Sequence, residues 1–195
     1  MTGRAEPAAL AEKATAVTGA VASAAAVANE FLELGWSEKG VPPIDQMKLQ
    51  KLLFYAHAWH LAMKGGPLFD EDVEAWPWGP VVRDVYLQTK DCGRAPVVDR
   101  IWKLEVEDSD KLDVTLVEPN VESEETKEFL LEVWNSHKKF SGVQLSNSTH
   151  APGEPWTIIR ERYGSLDGKP TIPNEVIAAV FKKKLANAKV ENTPA

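Results

Sequence analysis

The stretch from Met47 to Met63 runs for seventeen residues without glycine or proline. Apolar or aromatic side chains recur in it at 49, 52, 53, 56, 59, 60 and 63. That spacing marks one face of an α-helix. Phe54, Tyr55, Leu61 and Ala62 fall off the face, so this helix must be buried on more than one side. Pro42-Pro43 before it and Gly65-Gly66 after it are start and stop signals. A helix apolar on several faces can only lie inside a domain, with other elements packed around it.

The remaining chain is long enough to supply them. Its 195 residues fit one domain with a sizeable core. Seven tryptophans are a generous share of large aromatics, which dominate cores and interfaces alike. The single cysteine, Cys92, excludes an internal disulfide and a cysteine-based zinc cluster, and suits a reducing compartment. A net charge of -7 argues against non-specific nucleic-acid binding. No run approaches the ~18 apolar residues of a membrane span, and Met1–Glu6 lacks the order of a secretion signal. A cytoplasmic location is expected, with no membrane and no nucleic acid as partner.

Residues 1–22 are Ala-rich and read as a loosely held N-terminal extension. Val27, Phe31 and Leu34 share a helical face in 24–34, and Gly35 is the expected stop. After the central helix, Pro77 and Pro80 forbid a long strand or helix, so 67–80 reads as a short extended segment and a tight turn. Pro80 is placed to open a helix carrying Val81, Val82, Val85 and Tyr86, closed by Cys92-Gly93. Two apolar runs, Val97–Val106 and Leu112–Val117, flank a polar turn and predict a β-hairpin. Helical spacing returns over 122–140, with Phe129, Leu130, Val133, Trp134 and His137 on one face. Shorter helices are expected over 143–148, 155–163 and 173–185, and the last ten residues read as a solvated tail. The expected fold is mainly α, more strictly α+β: a compact helical domain, residues 23–185, around a central buried helix with a small β-hairpin.

No catalytic constellation emerges. His57 and His60 share a helix face at a spacing that can hold a metal, but no third ligand is near them in sequence, and packing is the simpler role. Asp70, Glu71, Asp72 and Glu74 are acidic neighbours on a segment that reads as a solvated face. Nothing around Cys92 resembles a nucleophile motif. Gly164–Lys169 lacks the residues of a phosphate loop. No cofactor or metal is therefore expected. What stands out is Trp76-Pro77-Trp78-Gly79-Pro80, with a second Pro-Trp pair at Trp156. Core packing with a rigid turn is one reading of this cluster. A rigid aromatic platform for a protein partner is the other.

Lys48–Ala56, Pro67–Glu71, Glu74–Trp76 and Trp78–Val82 occur in order at close spacing, followed by Leu145-Ser146, Thr149-His150 and Pro155-Trp156. Together these motifs resemble the Panacea domain of the SocA-like, phage-associated antitoxins, from about Ala24 to Phe181. The aromatic before Gly-Pro is often Tyr in that family and is Trp78 here. The resemblance implies a helical, non-enzymatic antitoxin that binds and neutralises a toxin encoded beside it. For SocA-like members it further implies a proteolytic adaptor that presents the toxin to the ClpXP protease. On this reading Trp76, Trp78, Gly79, Pro80 and Trp156 are the partner-binding candidates. Competing readings are neutralisation by occlusion alone, a metal-dependent hydrolase built on His57, His60 and the Asp70–Glu74 acids, and a DNA-binding regulator that the charge disfavours.

Overall fold

The computed structural model describes residues 19–108 and 113–191. The N-terminal extension up to residue 18, the tip of the expected hairpin and the last four residues lie outside this range. Among the described residues are seven α-helices and two separate two-stranded antiparallel sheets. The fold is mainly α with small β-hairpins.

The central helix, α2 (Gln46–Met63), is capped by Asp45, whose carboxylate accepts from the Lys48 N–H at 2.7 Å. The first turn thus begins three residues beyond the proline pair. Against α2 pack α1 (Ala24–Ser37), α4 (Glu124–His137), α5 (Gly142–Thr149), α7 (Asn174–Glu191) and the strand β2 (Gly79–Val82). Thirteen of its eighteen residues are buried, so its polar side chains are forced inside with its leucines. Lys48, Gln50, Lys51, His57 and His60 are all buried with Leu49, Leu52, Leu53 and Phe54. A buried polar group is costly unless it is hydrogen-bonded. Lys48 meets this by donating to the carbonyls of Pro42 and Lys138 at 2.7 and 2.8 Å. Of the expected apolar face, only its C-terminal end departs: Trp59 is half-buried, edge-on to Phe181, and Met63 is exposed.

Several boundaries differ from the expectation for definable reasons. Helix α1 does not stop at Gly35 but continues to Ser37. The glycine is there for space: a Cβ on it would lie 2.6 Å from Ile44 Cδ1. Pro80 does not open a helix. It lies in β2, which pairs with β1 (Val73–Trp76) in a hairpin turning at Pro77-Trp78. Opposite Pro80, Ala75 turns its own N–H outward to the Pro170 carbonyl at 2.8 Å. That pair exchanges no ladder hydrogen bonds, so the proline forfeits none. The helix, α3 (Arg83–Thr89), begins only after the hairpin and ends in a 3-10 turn at Lys90–Cys92.

The expected second hairpin exists as β3 (Lys103–Asp108) and β4 (Asp113–Val117). Its first strand starts later than the apolar run because Val97 and Ile101 are pinned elsewhere. Val97 donates to the Ile44 carbonyl, while buried Asn29 accepts from Ile101 N–H at 2.7 Å and donates to the carbonyls of Ile101 and Pro119. One asparagine thus ties α1 to both ends of the hairpin. Phe129, Leu130, Val133 and Trp134 of α4 are buried on the expected face, and His137 stacks on Tyr55 at 4.6 Å. Helix α7 reaches Glu191, six residues past the expected end, so the stretch read as tail begins as exposed helix. No helix among the described residues is long and apolar enough to cross a membrane.

Helix α5 crosses α2 at close range through Gly142. A Cβ there would sit 2.6 Å from Asp45 Oδ1 and 2.7 Å from the Lys48 backbone nitrogen, on the cap of α2 itself. Gly142→Ala should therefore cost about 1–3 kcal/mol, the range for overpacking a tight contact. Gly168→Ala, which meets no atom within 4 Å, should stay within about 0.5 kcal/mol. Urea unfolding of both variants measures the difference, and equal midpoints would refute the close-packing role.

Candidate functional site

The β1–β2 hairpin is braced by α2, α5 and α6 (Pro155–Tyr163). Three backbone carbonyls of the hairpin are held by side chains from three different helices. Trp156 Nε1 donates to Trp76 at 2.8 Å, Ser146 Oγ to Trp78 at 2.9 Å and Lys51 Nζ to Pro80 at 2.8 Å. Gln50 adds a fourth clamp by accepting from the Val82 N–H at 2.8 Å. The turn is consequently fixed in place.

All five expected site residues gather here, in unequal roles. Trp156 is buried, stacked on His150 at 3.9 Å, with the Arg160 guanidinium carbon 5.3 Å from its ring centre. Trp76 is half-buried against Tyr86, with Lys169 Nζ 3.8 Å from its ring centre and its Nε1 bonded to Glu74. Gly79 and Pro80 are buried. Gly79 has φ +104, a region closed to side chains, and a Cβ would lie 2.8 Å from Lys51 Nζ and 2.9 Å from Thr149 Oγ1. Trp78 alone projects, with 73% of its surface exposed. One tryptophan is thus offered to solvent, and the other four residues build its support.

Beside Trp78 lies a cleft of about 170 Å³ lined by Gln46, Gln50, Lys51, Trp76, Trp78 and Tyr86, among others. Sequence reasoning passed over its polar residues because they sit within the central helix. The available signal was the multi-sided burial of that helix, which forces its lysines and glutamines inward. Burial pushes the Lys51 amine down to about 7. His150, close by, is lowered first by burial and then by the Lys51 and Arg160 charges.

His57 and His60 do not converge. His57 Nε2 pairs with Asn174 at 2.8 Å and its ring lies against Phe69, while His60 Nδ1 pairs with the Gly66 carbonyl at 2.8 Å. Burial lowers both, His57 to about 4. Among the described residues no group of three or more His, Cys, Asp or Glu is placed to hold a metal ion. Of the acidic neighbours, Glu71 accepts from the Ala24 N–H, Glu74 holds the Trp76 indole, and Asp70 is exposed.

Fold and site together define a small, mainly helical domain that presents a braced aromatic hairpin. The chain belongs to the antitoxin SocA-like family with the Panacea domain, whose model matches residues 49–157. That span covers most of α2, both strands of the β1–β2 hairpin and Trp156. A similar protein is Antitoxin SocA of Caulobacter vibrioides (strain NA1000 / CB15N), 32% identical over 123 residues. The match covers 63% of this chain and 63% of that relative. No solved structure matches the chain.

Proposed function

We propose that this protein is a cytoplasmic antitoxin that binds a protein toxin through the Trp78 corner and delivers it to the ClpXP protease. The observation that carries the reading is that the family match falls on the segment that builds this corner, ending at the helix that holds Trp156. Tryptophan is a preferred anchor at protein interfaces, and a rigid turn spares the ordering cost that a mobile loop would bear on binding.

Delivery to a protease requires two proteins to be held at once, hence two surfaces. A second exposed apolar surface is present. Leu87, Trp102, Leu104 and Leu116 are all exposed around a groove of about 570 Å³ between α3 and the β3–β4 hairpin, and the groove shares no residue with the Trp78 cleft.

Co-expression with the product of the neighbouring gene should restore growth and give a complex on pull-down. In protease-competent cells the toxin half-life should fall severalfold when this protein is present, and should recover when ClpXP is deleted. Absence of both rescue and complex would defeat the antitoxin reading. Rescue with an unchanged half-life would leave occlusion as the mechanism.

A further inference from the structure

We infer that the cleft beside Trp78 is a carboxylate-binding pocket, built to take a carboxylate from a polypeptide partner whose apolar neighbour rests on the indoles.

Three of the side chains lining this cleft, Gln46, Gln50 and Lys51, carry donors with spare capacity. Gln50 has 2% of its surface exposed, and its Oε1 is committed to the Val82 N–H. That bond fixes which way the amide is turned. The remaining end, Nε2, is buried without an acceptor. Gln46, one turn earlier on the same face, also has a buried Nε2 without an acceptor. Lys51, equally buried, donates to the Pro80 carbonyl and, when protonated, has two further N–H groups. Buried polar atoms in native proteins nearly always find partners, so a cleft lined by surplus donors calls for an acceptor. A single amine matches the one charge of a carboxylate better than the higher charge of a phosphate.

The surroundings agree. The chain carries a net charge of -7, yet Lys169 lies over Trp76 and Arg160 over Trp156. Glu74 lies beside Trp76, and its Oε2 accepts from the Trp76 indole N–H. Trp76, Trp78 and Tyr86 form the walls, which suit the methylene or leucine-like stem behind a carboxylate. The volume, about 170 Å³, holds between five and six waters at ~30 Å³ each. That is room for a carboxylate and a few carbons, and too little for a nucleotide.

The inference deepens the antitoxin reading, on which it rests for the source of the carboxylate. It is tested with small probes that need no toxin. In the ¹⁵N-labelled full chain, the side-chain NH₂ signals of Gln50 and Gln46 are followed during titration. The probes are N-acetyl-leucine (a terminal carboxylate), N-acetyl-glutamate α-amide (a side-chain carboxylate), N-acetyl-leucine amide and inorganic phosphate. A saturable shift of the Gln50 NH₂ pair is expected with a carboxylate and not with the amide, and the tighter carboxylate identifies the source. Lys51→Met should weaken that binding by roughly tenfold or more, as the loss of a charge-assisted bond does. Gln46→Leu, at a partly exposed site, should weaken it severalfold, and remains informative if Lys51→Met fails to fold. Equal shifts with N-acetyl-leucine amide, shifts with phosphate alone, or no saturable shift would each overturn the pocket. Toxin rescue without a shift removes this inference and leaves the antitoxin intact, whereas a shift without rescue does the reverse.

Discussion

Trp78→Ala should leave the fold intact and cripple toxin binding. The indole is 73% exposed, and what ties this residue to the domain is its backbone carbonyl, held by Ser146. Truncating the side chain keeps that bond and the hairpin register from Trp76↔Gly79 to Val73↔Val82. The unfolding midpoint should therefore stay within the roughly 0.5 kcal/mol of a surface change. Binding is another matter. A tryptophan at the centre of an interface commonly contributes about 2–4 kcal/mol, equivalent to roughly a 30- to 1,000-fold loss in affinity. Calorimetric titration of the toxin into native and variant protein reads the difference, and growth under toxin expression gives its consequence. Trp102→Ala is the matched control: also an exposed tryptophan, it lies on the other apolar groove. If the two surfaces divide the work as proposed, Trp102→Ala keeps toxin affinity and lengthens toxin half-life in ClpXP-competent cells. A Trp78→Ala protein that binds toxin as tightly as native would remove this corner from the interface.

The contrast between those two tryptophans marks how far the residues alone could be read. Helical periodicity is a local property, and wherever it was strong the element formed: α2, α4 and α6 lie where spacing and start signals put them. Proline and glycine are ambiguous because the same residue serves several purposes. Pro80 fits a helix start in sequence but occupies a strand position whose N–H would have pointed away from the ladder, a fact that depends on Ala75 opposite. Gly35 resembles a helix stop but is a clearance for Ile44. The aromatic cluster was legible as a group because its members are close in the chain, apart from Trp156. Which of them would be exposed was not, since that depends on α6 delivering Trp156 beneath the turn and α5 delivering Ser146. The donors of the cleft were hidden for the opposite reason: they sit in the central helix among its leucines and aromatics.

That burial has a thermodynamic signature at Lys51, and the second large effect concerns it. Its amine, pushed down to about 7 by burial from an ordinary 10.5, binds its proton less readily in the folded than in the unfolded chain. Between these two values the unfolded state carries more protons, so folding stability rises with pH across the interval. The contribution is complete above the unfolded value near 10.5, is lost progressively as pH falls, and is gone below the folded value near 7. At about 1.4 kcal/mol per pH unit the total reaches a few kcal/mol, large against the roughly 5–15 kcal/mol that holds a domain together. Lys48, lowered by burial to about 8, adds a slope of the same sign, so the native slope alone does not isolate Lys51. Lys51→Met does. The variant keeps the buried stem, removes the proton-binding site and leaves the Pro80 carbonyl without its donor, a cost of about 1–3 kcal/mol that is independent of pH. Urea-unfolding free energies measured from pH 7 to 10 should thus rise steeply for native protein and markedly less for Lys51→Met. The native advantage should shrink and then reverse toward pH 7, where the native protein must bury a charge. Parallel curves would mean that the Lys51 amine is solvated as an ordinary surface lysine, and the cleft beside Trp78 would then lack the buried amine on which its ligand chemistry depends.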